Sequence, residues 1–282
     1  MRKTYLLLAS ALMLGFTACD TARQTQDPET ENPEAAVAED GPTPVGDIMS
    51  KDGLRVFAFN DSPTYPESQL RLNVPPAGGV VEPGPVQFDY DLSNYELTRM
   101  TPHGNAEHLA NSHKGQHIHL IVDNEPYTAH YETEFTQDLA EGDHVLLSFL
   151  SRSYHESLKH QGAYDLRTIT VGTPDESERM EFDTNAPHLF YSRPKGEYVG
   201  DETKQVMLDF YLVNTDLSPT GNKVRATVNG TEFLLDRWMP HILEGLPMGE
   251  NTIQLELVDN EGNLIPGPYN SVTRTITLKP AA

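Results

Sequence analysis

The sequence has a single cysteine, Cys19, in 282 residues. A lone cysteine excludes a disulfide framework and a metal cluster built on thiolates. Basic residues are scarce as well: 20 Lys and Arg stand against 42 Asp and Glu, for a formal net charge of −22. That balance excludes the electrostatic footprint of nucleic-acid binding and argues against docking on an anionic lipid surface. Long hydrophobic runs are missing too. The longest, YLLLASALMLGF near the N-terminus, is about a dozen residues, too short for a membrane-spanning helix. There is no G-x-S-x-G elbow and no phosphate-cradling glycine loop. HESLKH at 155–160 sets its histidines five residues apart, where a zinc-protease helix needs four. Acidic pairs are so common that none stands out as a glycosidase dyad. The chain reads as a binding protein and not as an enzyme.

The N-terminus carries a short basic head, Met1-Arg2-Lys3-Thr4, then the apolar run, then Thr17-Ala18-Cys19. This is the pattern of a cleaved signal peptide, and the small residues before the cysteine resemble a bacterial lipobox. The resemblance implies a signal peptide over 1–18 and lipidation of Cys19. It also implies a bacterial cell-envelope location, periplasmic or at the outer surface, with the membrane as a partner through the lipid anchor. Each buried methylene of such an anchor contributes about 0.8 kcal/mol. Loss of residues 1–18 removes Arg2 and Lys3 and no acid, taking the net charge from −22 to −24. Residues 19–50 are rich in Glu, Asp, Pro, Thr and Ala. Such a stretch has too little apolar surface to offset its chain entropy, so it is expected to be a flexible acidic tether.

The rest of the chain contains a repeat. GQHIHLIVDNEPY, LAEGDHVLLSFL and YDLRTITV in 115–171 correspond to GNKVRATVNGTEF, LPMGENTIQLELVD and SVTRTITL in 221–278. RTIT occurs in both, at Arg167–Thr170 and Arg274–Thr277. Two copies of one module of about 100 residues follow from this self-similarity. Period-two alternation, as in Val86, Phe88, Tyr90 and Leu92, makes the module all β. Turn signals such as Asp123-Asn124 and Asn229-Gly230 separate its strands. The expected fold is all-β: two tandem immunoglobulin- or fibronectin-like β-sandwich domains, at 51–172 and 186–282, joined by a linker at 173–185.

Histidines distinguish the two copies. In a strand over 116–122, His117 and His119 share one face with Ile121, and Ile118, Leu120 and Val122 share the other. The second copy places Lys223 and Arg225 where the first has the two histidines, so this face is expected to be solvated. An immunoglobulin-like strand order brings the loops 98–114 and 151–164 to the same end. Seven of the eleven histidines then gather there: His103, His108, His113, His117, His119, His155 and His160. Neutral imidazoles accept a metal without first losing a proton. His117 and His119 at i and i+2, with His155 from the neighbouring loop, form a candidate open three-ligand site for zinc or copper. His103, His108, His113 and His160 are secondary candidates. Two other readings remain open: solvated or packed loop histidines, and a pocket for a polar or carbohydrate ligand.

The stretches NYELTRMTPHGNAEHLANSHKGQHIHLIVDN, FLSRSYHESLK, GNKVRATVNG and GLPMGENTIQLELVD resemble a family of envelope lipoproteins from Bacteroidetes-type bacteria. The resemblance covers nearly the whole chain beyond the tether and implies the anchor and the fold. Members are sometimes labelled phosphopeptide-binding. That label implies an S-R-x-H element followed by Asn-Gly-Thr, but Ser151-Arg152-Ser153-Tyr154-His155 is one residue too long and Asn229-Gly230-Thr231 lies in the other copy. The functional expectation is therefore a lipid-anchored envelope protein that binds a metal ion or small ligand through domain one. Its rival is a protein- or glycan-interaction module without metal.

Overall fold

The computed structural model describes residues 41–176 and 179–281. The signal peptide over 1–18, Cys19 and the tether as far as residue 40 lie outside the described residues. The described residues open with a hairpin of β1 (Pro44–Lys51) and β2 (Leu54–Phe59). Next come β3 (Gln69–Val74), β4 (Val80–Val81), β5 (Gly84–Ser93), a single helical turn α1 (Asn105–His108), β6 (His117–Val122) and β7 (Thr128–His130). β8 (Glu134–Leu139), β9 (Gly142–Ser151) and β10 (Tyr164–Val171) complete the first copy. The second copy opens with β11 (His188–Arg193), β12 (Gly196–Val199), β13 (Val206–Val213) and β14 (Lys223–Val228). It closes with β15 (Thr231–Leu235), β16 (His241–Glu244), β17 (Gly249–Val258) and β18 (Ser271–Lys279).

The strands form sandwiches of one topology. In the first copy, the sheet β3-β5-β8 faces β4-β10-β9-β6-β7. In the second, β11-β13-β16 faces β12-β18-β17-β14-β15. The two RTIT segments fall in β10 and β18, each antiparallel to the preceding long strand and parallel to a short early strand. Alternation explains the cores: Val86, Phe88 and Tyr90 of β5 meet Ile118 and Leu120 of β6, and Ile253, Leu255 and Leu257 of β17 meet Leu208 and Phe210 of β13.

Two of the expected boundaries shift. Residues 44–50 fall within the tether expected on composition, yet together with Lys51 they form β1. An edge strand exposes both faces, so it needs no apolar alternation to be a strand. Residues 54–59 were assigned to the first sandwich, yet β2 pairs antiparallel with β16 through Ala58 and His241. The N-terminal hairpin thus extends the second sandwich to a sheet ordered β1-β2-β16-β13-β11. Its pairing is backbone to backbone and leaves no trace in sequence adjacency.

A third core joins the sandwiches. Ile121, Val145, Leu147 and Phe149, on the outer face of β6 and β9, pack against Phe190, Tyr211 and Val213 of β11 and β13. A fourth cluster carries the contact on through Phe57, Phe59 and Ile242 to Leu109 and Tyr154. The turn after β6 is bonded into the second sandwich: Tyr191 N donates to Asn124 Oδ1 at 2.9 Å, and Asn124 Nδ2 donates to the Leu189 and Tyr269 carbonyls, both at 3.3 Å. The face of β6 that carries the histidines is therefore a buried seam, contrary to the solvated surface expected from the second copy. Lys223 and Arg225 do keep their equivalent face partly open in β14, where among the described residues no second sandwich covers it as one covers β6.

Candidate metal centre

Gly115 begins the site. It has a φ of +84°, and a β-carbon there would lie 2.5 Å from the Thr98 carbonyl oxygen and 2.6 Å from that of Arg99. Only glycine fits this close approach. The turn aims the Gly115 carbonyl at His117, whose Nδ1 lies 2.8 Å away. A carbonyl only accepts, so Nδ1 carries the proton and Nε2 keeps its lone pair. That lone pair faces His119 Nε2 at 2.8 Å and His155 Nδ1 at 3.1 Å. The three nitrogens lie within 4.8 Å of one another. Donors on one zinc ion, with bonds of about 2.0–2.1 Å, stand roughly 3–3.5 Å apart, so small side-chain rotations complete the geometry.

His155 reaches the cluster from the loop between β9 and β10 in a left-handed backbone conformation, φ +68°. Such a conformation costs a non-glycine residue about 1 kcal/mol or more, so the surroundings must impose it. They do. His155 N donates to the Arg152 carbonyl and Arg152 N to the Glu156 carbonyl, each at 2.9 Å. The Arg152 guanidinium bonds to Glu156 Oε1 at 2.8 Å and the Pro63 carbonyl at 2.6 Å. Further along the loop, Lys159 pairs with Asp209 of β13, whose other carboxylate oxygen accepts from Ser157 N.

Burial keeps the cluster neutral. His117 and His119 are both 0% exposed and His155 is partly exposed. Desolvation lowers the His117 pKa to about 4, against the bond to Gly115 that raises it. Desolvation also holds His119 and His155 well below the usual imidazole range; His117 next to His119, and Arg193 next to His155, add to the effect. At neutral pH the three rings are uncharged, the state in which imidazole binds metal.

The surroundings are aromatic and cationic. Tyr127 stacks on His119 with centroids 3.5 Å apart, and its hydroxyl lies 3.3 Å from His155 Nδ1. Tyr131 flanks His117 at 5.1 Å. From the second sandwich, Lys195 Nζ sits 4.1 Å from the Tyr127 ring centroid and Arg193 Cζ 5.6 Å from it. Sequence reasoning missed Tyr127, Arg193 and Lys195. Tyr127 follows β6 by a few residues and was within reach of a careful reading, but the two cations come from the other copy and had no local signal.

Among the described residues, the other expected histidines do not join the cluster. His103 Nδ1 accepts from Asn105 N at 3.3 Å, His160 Nε2 lies 3.1 Å from Ser68 Oγ, and His113 is exposed. His108 ends α1 against Gly41. They share the end of the sandwich without sharing a point.

No protein-family model matches the chain, and no curated protein matches it. Among solved structures, the fibronectin(III)-like modules of Clostridium thermocellum CbhA are 12% identical with a TM-score of 0.27, over 76% of this chain and 95% of that one. The central fibronectin-III array of RIM-binding protein is 10% identical at 0.26, over 80% and 72%. A Bacteroides ovatus mixed-linkage glucan utilization locus protein, SGBP-B, solved with a mixed-linkage heptasaccharide, is 8% identical at 0.23, over 74% of this chain and 47% of that one. Likeness of this degree assigns neither ligand nor partner to the chain.

Proposed function

We propose that this protein is a lipid-anchored component of the bacterial cell envelope that binds a transition-metal ion, zinc or copper, through His117 Nε2, His119 Nε2 and His155 Nδ1. One observation carries the metal reading. The Gly115 carbonyl fixes the proton of His117 on Nδ1 and turns its lone pair toward two other buried, neutral imidazoles. A hydrogen-bonded partner on the far nitrogen is how ligating histidines are oriented. The anchor rests on the lipobox-like Thr17-Ala18-Cys19. Elemental analysis of an untagged fragment beginning at residue 41 tests the metal: about one equivalent of zinc or copper per chain supports it. A metal-free protein that also binds neither ion on dialysis reduces the cluster to packing, with His119 Nε2 donating to His117 Nε2.

A second reading, binding of a glycan at the same end of the first sandwich, has its own observation. A cleft of about 540 Å³ is lined by Tyr65, Asn94, Tyr95, Glu96, Arg99 and Gln116. Aromatic rings with amide and charged rims suit a sugar face and its hydroxyls. Calorimetric titration of wild type and Tyr95→Ala with envelope and plant oligosaccharides separates this reading from the first, because Tyr65 and Tyr95 bond to Gln116 and the Ser151 carbonyl and not to the three histidines.

A further inference from the structure

Arg193 and Lys195 pose an electrostatic problem beside the histidine cluster. Arg193 is 7% exposed, donates from Nη1 to the Tyr198 hydroxyl at 2.9 Å, and leaves its Nε without an acceptor. Lys195 Nζ donates to the Tyr127 carbonyl at 2.5 Å. Among the described residues, neither forms an ion pair with a carboxylate. Buried cations are ordinarily paired, because unpaired charge is costly away from water. A divalent ion on three neutral imidazoles would add two more positive charges to this seam. That accumulation of positive charge favours an anionic ligand on the ion, and among the described residues no Asp or Glu joins the three histidines.

One nearby oxygen able to take a negative charge on a metal is that of Tyr127; burial raises its pKa in the metal-free protein, so the bound ion itself must displace the proton. The Tyr127 hydroxyl stands 3.3 Å from His155 Nδ1, and its ring is clamped between two neighbours. His119 stacks on the ring at 3.5 Å with the planes 14° apart, so Lys195 Nζ, 4.1 Å from the centroid, takes the other face. We propose that Tyr127 is the fourth ligand of the centre, as a phenolate, and that Arg193 and Lys195 of the second sandwich stabilise its charge, so that the site takes copper(II). This deepens the metal reading above and rests on it. Three imidazoles and one phenolate are an N/O set suited to copper(II), which also stands above zinc in the Irving–Williams order. Loading is an exchange without redox change: the oxygen–copper bond forms, the O–H bond breaks, and the proton leaves to solvent. The sandwiches together then make the centre, the first giving the four ligands and the second the compensating cations.

The experiment is a titration of the untagged protein with copper(II) sulfate in a non-coordinating buffer, followed by visible absorption and resonance Raman. Saturation at one equivalent, with a phenolate-to-copper charge-transfer band and phenolate ring modes enhanced in that band, is the expected result. Tyr127→Phe keeps the stacked ring and should bind copper more weakly, with the band lost. Tyr131→Phe should keep the band. Copper binding by the wild type with only weak ligand-field absorption, or a band that survives in Tyr127→Phe, overturns the phenolate ligand and leaves the three-histidine site standing. A wild type that takes up zinc but no copper overturns the copper proposal alone, and one that takes up neither ion overturns both, which makes the two failures distinct. Circular dichroism and thermal melting of each variant, compared with wild type, show that the loss is not one of folding.

Discussion

His117 Nε2 and His119 Nε2 lie 2.8 Å apart on one face of β6, and both side chains are fully buried. A histidine at such a position serves the seam and the site at once. His117→Ala should abolish metal uptake and also cost about 1–3 kcal/mol, because it opens a cavity and strips His119 of its partner. Equilibrium dialysis and urea unfolding measure the two effects separately. Full metal binding by the variant would remove His117 from the ligand set.

The Lys159–Asp209 pair lies across the seam, with Asp209 fully buried and Lys159 nearly so. Removing one member of a buried pair strands the other, at a cost of about 3–5 kcal/mol. Asp209→Ala should show this loss in urea unfolding, and it also deprives Ser157 N of its acceptor. Asp209→Leu combined with Lys159→Met should be much milder than the sum of the single changes. A double variant as damaged as that sum would show that the charges themselves are needed.

His241 in β16 is buried, and desolvation lowers its pKa to about 4, with Lys159 and Arg237 adding to the effect and a bond to the Met239 backbone opposing it. Below pH 6.5 the unfolded chain takes up a proton that the folded chain refuses, so this residue's contribution is present above that pH. It is lost as the pH falls toward 4. A lowering from 6.5 to about 4 corresponds to about 3 kcal/mol. Urea unfolding at pH 7 and pH 5 should show a smaller decline in His241→Phe than in wild type. Parallel declines would place the acid sensitivity elsewhere.

On the proposed lipid anchor, Cys19→Ser should leave the protein unlipidated and release it from the membrane fraction. Partitioning into detergent by wild type and variant reads this out. Equal partitioning would exclude a lipid on Cys19.

Part of this structure was legible in the sequence for definite reasons. RTIT marks equivalent strands in both sandwiches because identical residues stand at matching places in β10 and β18. The period of two put His117 and His119 on one side, and the order of the strands brought His155 to them. What misled was borrowing the environment of β14, where Lys223 and Arg225 reach water, for β6. The correcting signal was present elsewhere: in HVLLSFL at 144–150 and VMLDFYLV at 206–213, one set of alternate residues is wholly apolar and the other is apolar except for His144, Ser148 and Asp209. Such strands are covered on two sides. The cations over Tyr127 had no comparable mark, because a contact between copies follows no local spacing.

The pairing of β2 with β16 has a kinetic consequence. Ala58 and His241, opposite each other in the sheet, are separated by roughly 180 residues of chain. At a synthesis rate of about 5–20 residues per second, β2 waits on the order of 10–40 s for its partner to emerge. During that interval its edge is open, and Phe57 and Phe59 lack Met207 and Ile242, which help to bury them in the finished protein. Pairings so distant along the chain raise contact order and slow the closing step. An early strand of the described residues is then closed late, and the interval before closure is when edge-to-edge association between nascent chains competes with folding.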